Sequence, residues 1–271
     1  MVRVYLSGNP VHDRVLRAFA EGCNGDLVEN WKYEPSSVAV IFGVYKSKVP
    51  TSFPRGKIFQ QQRENNLDVV VLETGYINRG DGENHHYAAG FNGLNGRADF
   101  LNRDMPSDRA EKLGVMLRPY RSGGSRIILC GQVPWDASVE GTNHQEWLEA
   151  TVERLRAYTR RDIIFRPHPL ARGYYKPLGC SVSDRTLQGD LWDAHAFVTF
   201  NSNSGVEALL DGIPVFASDH GSMCWQVANK SLMQIDVPNR PPREQWLADL
   251  CYAQWDLEEM RSGEAWAHLS R

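Results

Sequence analysis

Two short segments hold the side chains best suited to chemistry. In one, the apolar run Ile163-Ile164-Phe165 stops abruptly at Arg166-Pro167-His168-Pro169. In the other, Ala196-Phe197-Val198-Thr199-Phe200 opens into Asn201-Ser202-Asn203-Ser204-Gly205, which leads straight into the helix-like Val206-Glu207-Ala208-Leu209-Leu210. Asp211-Gly212 stops that helix, and Ile213-Pro214-Val215-Phe216-Ala217 makes a further strand. Strand, small polar turn, helix and strand form a βαβ unit with the turn at a strand's carboxyl end. There, hydroxyls and backbone N–H groups of Ser202, Asn203, Ser204 and Gly205 can hold a phosphate, helped by the positive end of the helix dipole. Arg166 and His168 would add positive charge where a phosphate departs. Glu207, one turn into the helix, has the acceptors to take hydrogen bonds from two ribose hydroxyls.

The elements that position these groups can be traced along the chain. Val2–Leu6 reads as a first strand, followed by the turn Ser7-Gly8-Asn9-Pro10 and a helix with Val11, Val15, Leu16 and Phe19 at helical spacing. Ser37–Phe42 is a buried strand, Phe53–Asn65 a helix, and Leu67-Asp68-Val69-Val70-Val71-Leu72 a parallel-type strand. That strand ends in Glu73-Thr74-Gly75, so it places a carboxylate where open α/β sheets bind ligands. Glu73 is suited to remove a proton from an acceptor hydroxyl. Residues 80–104 mix Gly and Asn with Tyr87, Phe91 and Phe100 and are expected to form an ordered loop contacting a ligand. Asp81, Glu83, His85 and His86 match no metal-ligand spacing and read as surface polar groups.

Arg118-Pro119-Tyr120-Arg121-Ser122-Gly123-Gly124-Ser125 is dense in Pro, Gly and Ser and reads as an interdomain linker. The expected domains are therefore residues 1–120 on the acceptor side and residues 121–271, with a terminal helix, on the nucleotide side. In the second, Arg126–Cys130 is a strand running into Gln132, Trp135 and Asp136, and Thr142–Arg160 is an amphipathic helix. The fold class implied is α/β, two Rossmann-like doubly wound domains facing a cleft.

Composition narrows the function. Thirty basic and thirty-three acidic residues leave a net charge of −3, so no global attraction to nucleic acid is advertised. Five scattered cysteines, none in C-x-x-C spacing, point to neither a disulfide framework nor a zinc knuckle. A chain without a membrane span, in the cytoplasm, is expected. Glu73 as base, Arg166 and His168 at a leaving phosphate, and Gln132, Ser202, Asn203, Ser204, Gly205 and Glu207 on a nucleotide are the division of labour of sugar transfer from an activated nucleotide donor.

The segments R-P-H-P and N-S-N-S-G-V-E-A-L-L-D-G-I-P-V resemble the nucleotide-binding half of GT-B glycosyltransferases. The likeness is nearest to the capsule polysaccharide synthesis family, with its Kdo transferases, and extends to bacterial sialyltransferases with a His-Pro motif and a Ser-rich phosphate turn. In those relatives an acidic-x-Gly motif carries the catalytic base, and L-E-T-G-Y-I-N-R is similar, which implies that role for Glu73. The same resemblance implies phosphate contacts for His168, Ser202 and Ser204. It covers roughly residues 68–80 and 126–220, and departs from the pattern where an acidic pair before the glycine is Glu-Thr here. Small phage-encoded transferases that decorate hydroxymethylated DNA bases are also GT-B proteins. The expected reaction is metal-independent transfer from a nucleotide-sugar co-substrate, with no cofactor. The expected acceptor is a 5-hydroxymethylated pyrimidine in DNA, bound by Tyr87, Phe91, Asn92, Asn95, Arg97 and Asp136, with Tyr87, Phe91 and Trp135 stacking on sugar or a flipped base, as suits a small chain with an aromatic loop. The alternatives are a capsule or surface polysaccharide acceptor, a nucleotide-sugar 2-epimerase, and a non-catalytic nucleotide-sugar-binding protein.

Overall fold

A computed structural model describes residues 1–29, 32–44, 55–80, 82–100, 102–139, 141–176 and 178–270. Asp81 and the first two residues of the expected Phe53–Asn65 helix lie outside the described residues. The chain divides into two compact units, residues 1–109 with 248–271, and residues 110–247.

The first unit is built on strands β1 (Val2–Tyr5), β2 (Asp26–Val28), β3 (Val38–Phe42), β4 (Asp68–Thr74) and β5 (Tyr87–Phe91), with helices α1 (Pro10–Cys23), α2 (Arg55–Glu64) and α3 (Asp108–Lys112). The order across the sheet is β11-β5-β4-β3-β1-β2, with β11 supplied by Gln254–Trp255. β1 to β4 pair in parallel, whereas β5 runs antiparallel to both β4 and β11. Side chains alternate between faces along each strand. Val40, Phe42, Val70 and Leu72 face α1, and Ala39, Ile41, Val69 and Val71 pack with Ile58 of α2. Asn9 caps α1 by accepting from the N–H groups of Val11 and His12, and Asn24 ends it in the left-handed region.

The second unit contains β6 (Arg126–Cys130), α4 (His144–Tyr158), β7 (Asp162–Arg166), β8 (Ser181–Val182), α5 (Leu187–Leu191), β9 (Ala194–Thr199), α6 (Ser204–Leu210), β10 (Val215–Ala217) and α7 (Glu244–Cys251), whose last residues pass into the first unit. Its sheet is parallel throughout, in the order β10-β9-β6-β7-β8. Ile127, Leu129, Val152, Leu155, Ala196 and Val198 form its core, as the apolar runs lead one to expect. The α/β class with two Rossmann-like units is the one found.

Three expectations are corrected. Residues 80–104 are not one long loop: Tyr87–Phe91 is a buried strand between β4 and β11. The stretch Arg118–Ser125 is a strap on the second unit rather than a free linker. The Arg118 N–H donates to Leu210 O, the Arg121 N–H to Gly212 O, and both guanidinium groups pair with Asp211. The terminal segment belongs to the first unit, not the second. Trp255, Leu257 and Met260, with Ala265 and Leu269, complete the α1 core from β11, α8 (Leu257–Arg261) and α9 (Glu264–Leu269).

Candidate functional site

In the second unit, register aligns the ends of three neighbouring strands. Cys130 pairs with Arg166 of β7 on one side and with Thr199 of β9 on the other. The residues that follow, Gln132, Pro167-His168 and Asn201–Ser204, therefore emerge at one level on the carboxyl edge. The Cys130 thiol registers this convergence. Burial pushes it up to about 11, against the Ser202 hydroxyl, the Arg166 charge and the Ser204 hydroxyl, while Glu207 adds to the rise. Both serines, the arginine and the glutamate thus act on one buried sulfur.

The turn itself differs from the expected cradle of unpaired N–H groups. The Asn201 N–H donates to Gln132 Oε1 at 3.0 Å, the Ser202 N–H to Thr199 Oγ1 at 3.0 Å, and the Ser204 N–H to Ser202 Oγ at 3.3 Å. Gly205 and Val206 donate to the carbonyls of Ser202 and Asn203. Five of the six backbone donors from Asn201 to Val206, all but that of Asn203, are spent inside the protein, and α6 has only seven residues over which to build a dipole. An anion here would be met by the half-buried hydroxyls of Ser202 and Ser204. The Asn203 carboxamide oxygen has no hydrogen-bond partner although the atom is buried.

Gln132 takes a different part from the one expected. Its carboxamide accepts from Asn201 N and donates to Asn201 Oδ1 at 2.7 Å, both in a buried setting, and donates to the part-buried Ser138 Oγ at 3.2 Å. Asn201 also donates to Ser138 O and to Asp219 Oδ1. From below, the Gln132 N–H donates to His144 Nε2 at 3.1 Å, and the Tyr175 hydroxyl donates to the Gln132 carbonyl. Gln132 therefore holds the serine turn in place rather than presenting itself to a ligand. Arg166 is likewise tethered: it donates to Asp190 Oδ2 at 2.8 Å and to Arg185 O, and Asp190 is itself bound by the Ser183 hydroxyl. Its charge is largely balanced by a buried carboxylate. Half-buried His168 accepts from the Leu170 N–H through Nδ1, which leaves Nε2 directed elsewhere.

Asn201, Ser138, His144 and Asp190 went unread in the sequence. Asp190 left one signal, an acid between Leu187 and Leu191 in a short apolar helix, which calls for a buried cation partner. The other three carry no pattern of their own.

In the first unit, Glu73 stands at the carboxyl end of β4 as expected, on the face shared with Val69 and Val71. Its Oε1 accepts from the Thr74 N–H at 2.9 Å. Gly43, at φ +68°, sits against it: a Cβ there would lie 3.1 Å from Arg55 Nη1 and 3.2 Å from Glu73 Oε2. Any proton transfer by Glu73 is thus carried out beside a guanidinium that the sequence did not single out. The turn after Glu73 is clamped by Gln254, whose Oε1 accepts from the N–H groups of Tyr76 and Ile77 while Nε2 donates to Ile77 O.

The expected acceptor residues do not gather around Glu73. Tyr87 pairs with Thr74 but is core, stacked edge-on against Phe42 with its hydroxyl on Gly82 O. Phe91 pairs with Val70 at the opposite end of β4, and Asn92 ties down that amino end through Val69 N and Asp68 Oδ1. Asn95 and Arg97 follow in a one-turn helix beyond it. At ~3.3 Å per residue these four lie a strand's length from Glu73. Asp136 is in the second unit, exposed, and accepts from the Ser138 N–H. Of the histidine-acid group, His85 takes the Gly82 N–H on Nδ1, and His86 lies instead with Asp256 and Glu259. Glu259 spends both oxygens on Arg109 at 2.9 Å and caps α8, so this cluster is a structural ion pair.

No protein-family profile and no curated protein matches the chain. Among solved structures it is similar to Thermosulfurimonas dismutans KpsC, beta Kdo 2,7 transferase, with a TM-score of 0.60 and 17% identity over 100% of this chain and 99% of that one. It is also similar to Thermosulfurimonas dismutans KpsC, beta Kdo 2,4 transferase, with a TM-score of 0.59 and 16% identity over 93% of this chain and 89% of that one. At such identities the likeness is one of fold, and it runs through both units of the chain.

Proposed function

We propose that the protein is a glycosyltransferase that moves a sugar from a nucleotide-sugar donor to an acceptor hydroxyl. The observation that supports this most directly is the level alignment of Ser202, Ser204, His168 and Arg166 at three adjacent strand ends, on a fold like that of two Kdo transferases. In this reading the Ser202 and Ser204 hydroxyls and the His168 ring bind the donor phosphate, and Glu207 takes the ribose hydroxyls. Arg166 contributes a charge already largely balanced by Asp190, so it shapes the site more than it attracts the donor. Glu73 accepts the proton of the attacking hydroxyl, and the bond from anomeric carbon to phosphate oxygen breaks as the new glycosidic bond forms. No cofactor is required by these steps.

The DNA-base acceptor loses part of its footing: of the three stacking rings it leaned on, Tyr87 and Phe91 belong to a strand of the first sheet, and Trp135 alone stands exposed, on the second unit. A saccharide acceptor, as in capsule or surface glycan assembly, is the reading we adopt. A thermal-shift panel of nucleotides and nucleotide sugars tests the donor: the right one raises the unfolding temperature by mass action, and less so in Ser202→Ala with Ser204→Ala. Glu73→Gln is expected to lower transfer by about two to four powers of ten with donor affinity unchanged. Full activity in that variant would remove Glu73 as the base. Isomerisation of the donor with no acceptor present would replace transfer with epimerisation.

A further inference from the structure

Two large aromatic side chains stand out on the carboxyl edge of the second sheet. Trp135 is 54% exposed and Tyr174 58%, yet they are packed against each other edge to face, with ring centroids 5.5 Å apart and planes at 73°. They come from different loops, one leaving β6 and the other leaving β7. Each loop is held firmly. Trp135 sits in a turn closed by the Asp136 N–H on Val133 O and by the Asp136 cap on Ser138. Tyr174 stacks edge-on to Tyr175 at 5.3 Å, and Tyr175 is anchored on Phe165 and through its hydroxyl on the Gln132 carbonyl.

Leaving so much aromatic surface in water forgoes the stabilisation that burial would bring, and the hydrogen bonds of both loops keep the pair outward. The same Gln132 that roots this pair also fixes Asn201, the first residue of the serine turn. The loops that carry the pair leave β6 and β7, the first and second strands beside β9, from which the serine turn emerges.

We infer that Trp135 and Tyr174 form a ledge that seats a sugar ring of a saccharide acceptor, the apolar C–H face of the ring lying on the indole. The inference rests on the proposed sugar transfer and names the acceptor class. An open ledge suits a pyranose, whose hydroxyls remain in water. Double-stranded DNA is disfavoured, because such a partner takes about six to ten phosphate contacts. The exposed cations in the Tyr174 turn are Arg172 and Lys176, while Arg156, Arg160 and Arg161 line a groove that opens at the other end of β7.

The test is saturation-transfer NMR on the full chain without donor. The probes are maltotetraose, chitotetraose, tetragalacturonate and a duplex carrying 5-hydroxymethylcytosine. At least one saccharide is expected to receive saturation on its ring protons from wild type. Its affinity should fall by about tenfold or more in Trp135→Ala and in Tyr174→Ala, recover in Trp135→Phe, and stay unchanged in Trp192→Ala. Trp192 is 82% exposed at the amino end of β9, so it controls for loss of any surface tryptophan. The ledge is refuted if no saccharide binds, if binding is indifferent to Trp135 and Tyr174, or if only the duplex binds in a Trp135-dependent way. Because no donor is present, saccharide binding that depends on the ledge stands even if no nucleotide sugar is turned over, and turnover stands if the ledge fails.

Discussion

His144 is 2% exposed beneath the serine turn, stacked on Trp147 at 4.9 Å, and gives its Nε2 lone pair to the Gln132 N–H. That bond requires the proton to be on Nδ1, which has no hydrogen-bond partner. Burial lowers the ring to about 4 from the ordinary 6.5, so the folded protein keeps His144 neutral where the unfolded chain would take up a proton. The unfolded state binds more protons between these two values, so stability falls as pH drops from 6.5 toward about 4. A gap of that size at one group is worth roughly 3 kcal/mol. In urea titrations across that window His144→Gln, which retains an acceptor for Gln132, should lose less stability than wild type. Equal slopes would show that the ring titrates freely.

At the scale of elements, the second sheet could be read almost directly. Ile163-Ile164-Phe165 and Ala196–Phe200 are apolar runs of strand length ending in turn residues, and they are β7 and β9. Glu73 and Arg166 were legible for the same reason, each being the first polar residue after such a run, and Ser202 follows its run by one residue, behind Asn201. β5 was not legible, because Tyr87-Ala88-Ala89-Gly90-Phe91 lacks β-branched residues and contains a glycine. Its strand state comes from its partners, the preceding strand β4 on one side and the sequence-distant Gln254-Trp255 on the other. The glycine is there for space: a Cβ at Gly90 would lie 2.6 Å from Phe100 Cε1 and 2.8 Å from Ala98 Cβ. Gly90→Ala should therefore cost about 1–3 kcal/mol by overpacking, read as a lower unfolding midpoint with an unchanged denaturant slope. A neutral result would mean that Phe100 swings aside freely. Asp190 presents the opposite problem, a charge hidden in an apolar helix. Asp190→Ala strands the Arg166 guanidinium, which is 15% exposed, and should destabilise by about 3–5 kcal/mol. Asp190→Asn, keeping a hydrogen-bond acceptor, should cost less, and the reverse order would mean that the ion pair is not what holds Arg166.

For the whole molecule, the dependence of the first unit on residues 248–271 is the feature no local pattern announces. The sequence reads as one long terminal helix over Arg243–Glu259, which the structure divides into α7, β11 and α8, and which sheet these cover is a long-range choice settled by fit. Gly22 records that fit: a Cβ there would lie 2.0 Å from the Met260 carbonyl oxygen, so α1 and α8 touch backbone to backbone. Arg109 adds a second tie, pairing with Glu259 in the buried interior and lying 4.0 Å from the Trp255 ring centroid. Gln254 adds a third, because its carboxamide fixes the turn that follows Glu73. A chain ended at Leu247 loses β11 and the side chains that close the α1 core, while the Ile127–Ile163 core of the second unit keeps all its parts. Hydrogen exchange on that truncated chain is expected to show protection lost through β1, β3 and β4 and retained through β6, β7 and β9. Gln254→Ala in the full chain is the milder form of the same experiment. Two buried N–H groups lose their acceptor at about 1–3 kcal/mol each, and faster exchange should appear first at Tyr76 and Ile77. If truncation left the first sheet protected, or unfolded both sheets together, the terminal segment would not be an integral part of the first unit's core alone. The position of Glu73 would then have to be explained by β4 and its neighbours without the clamp.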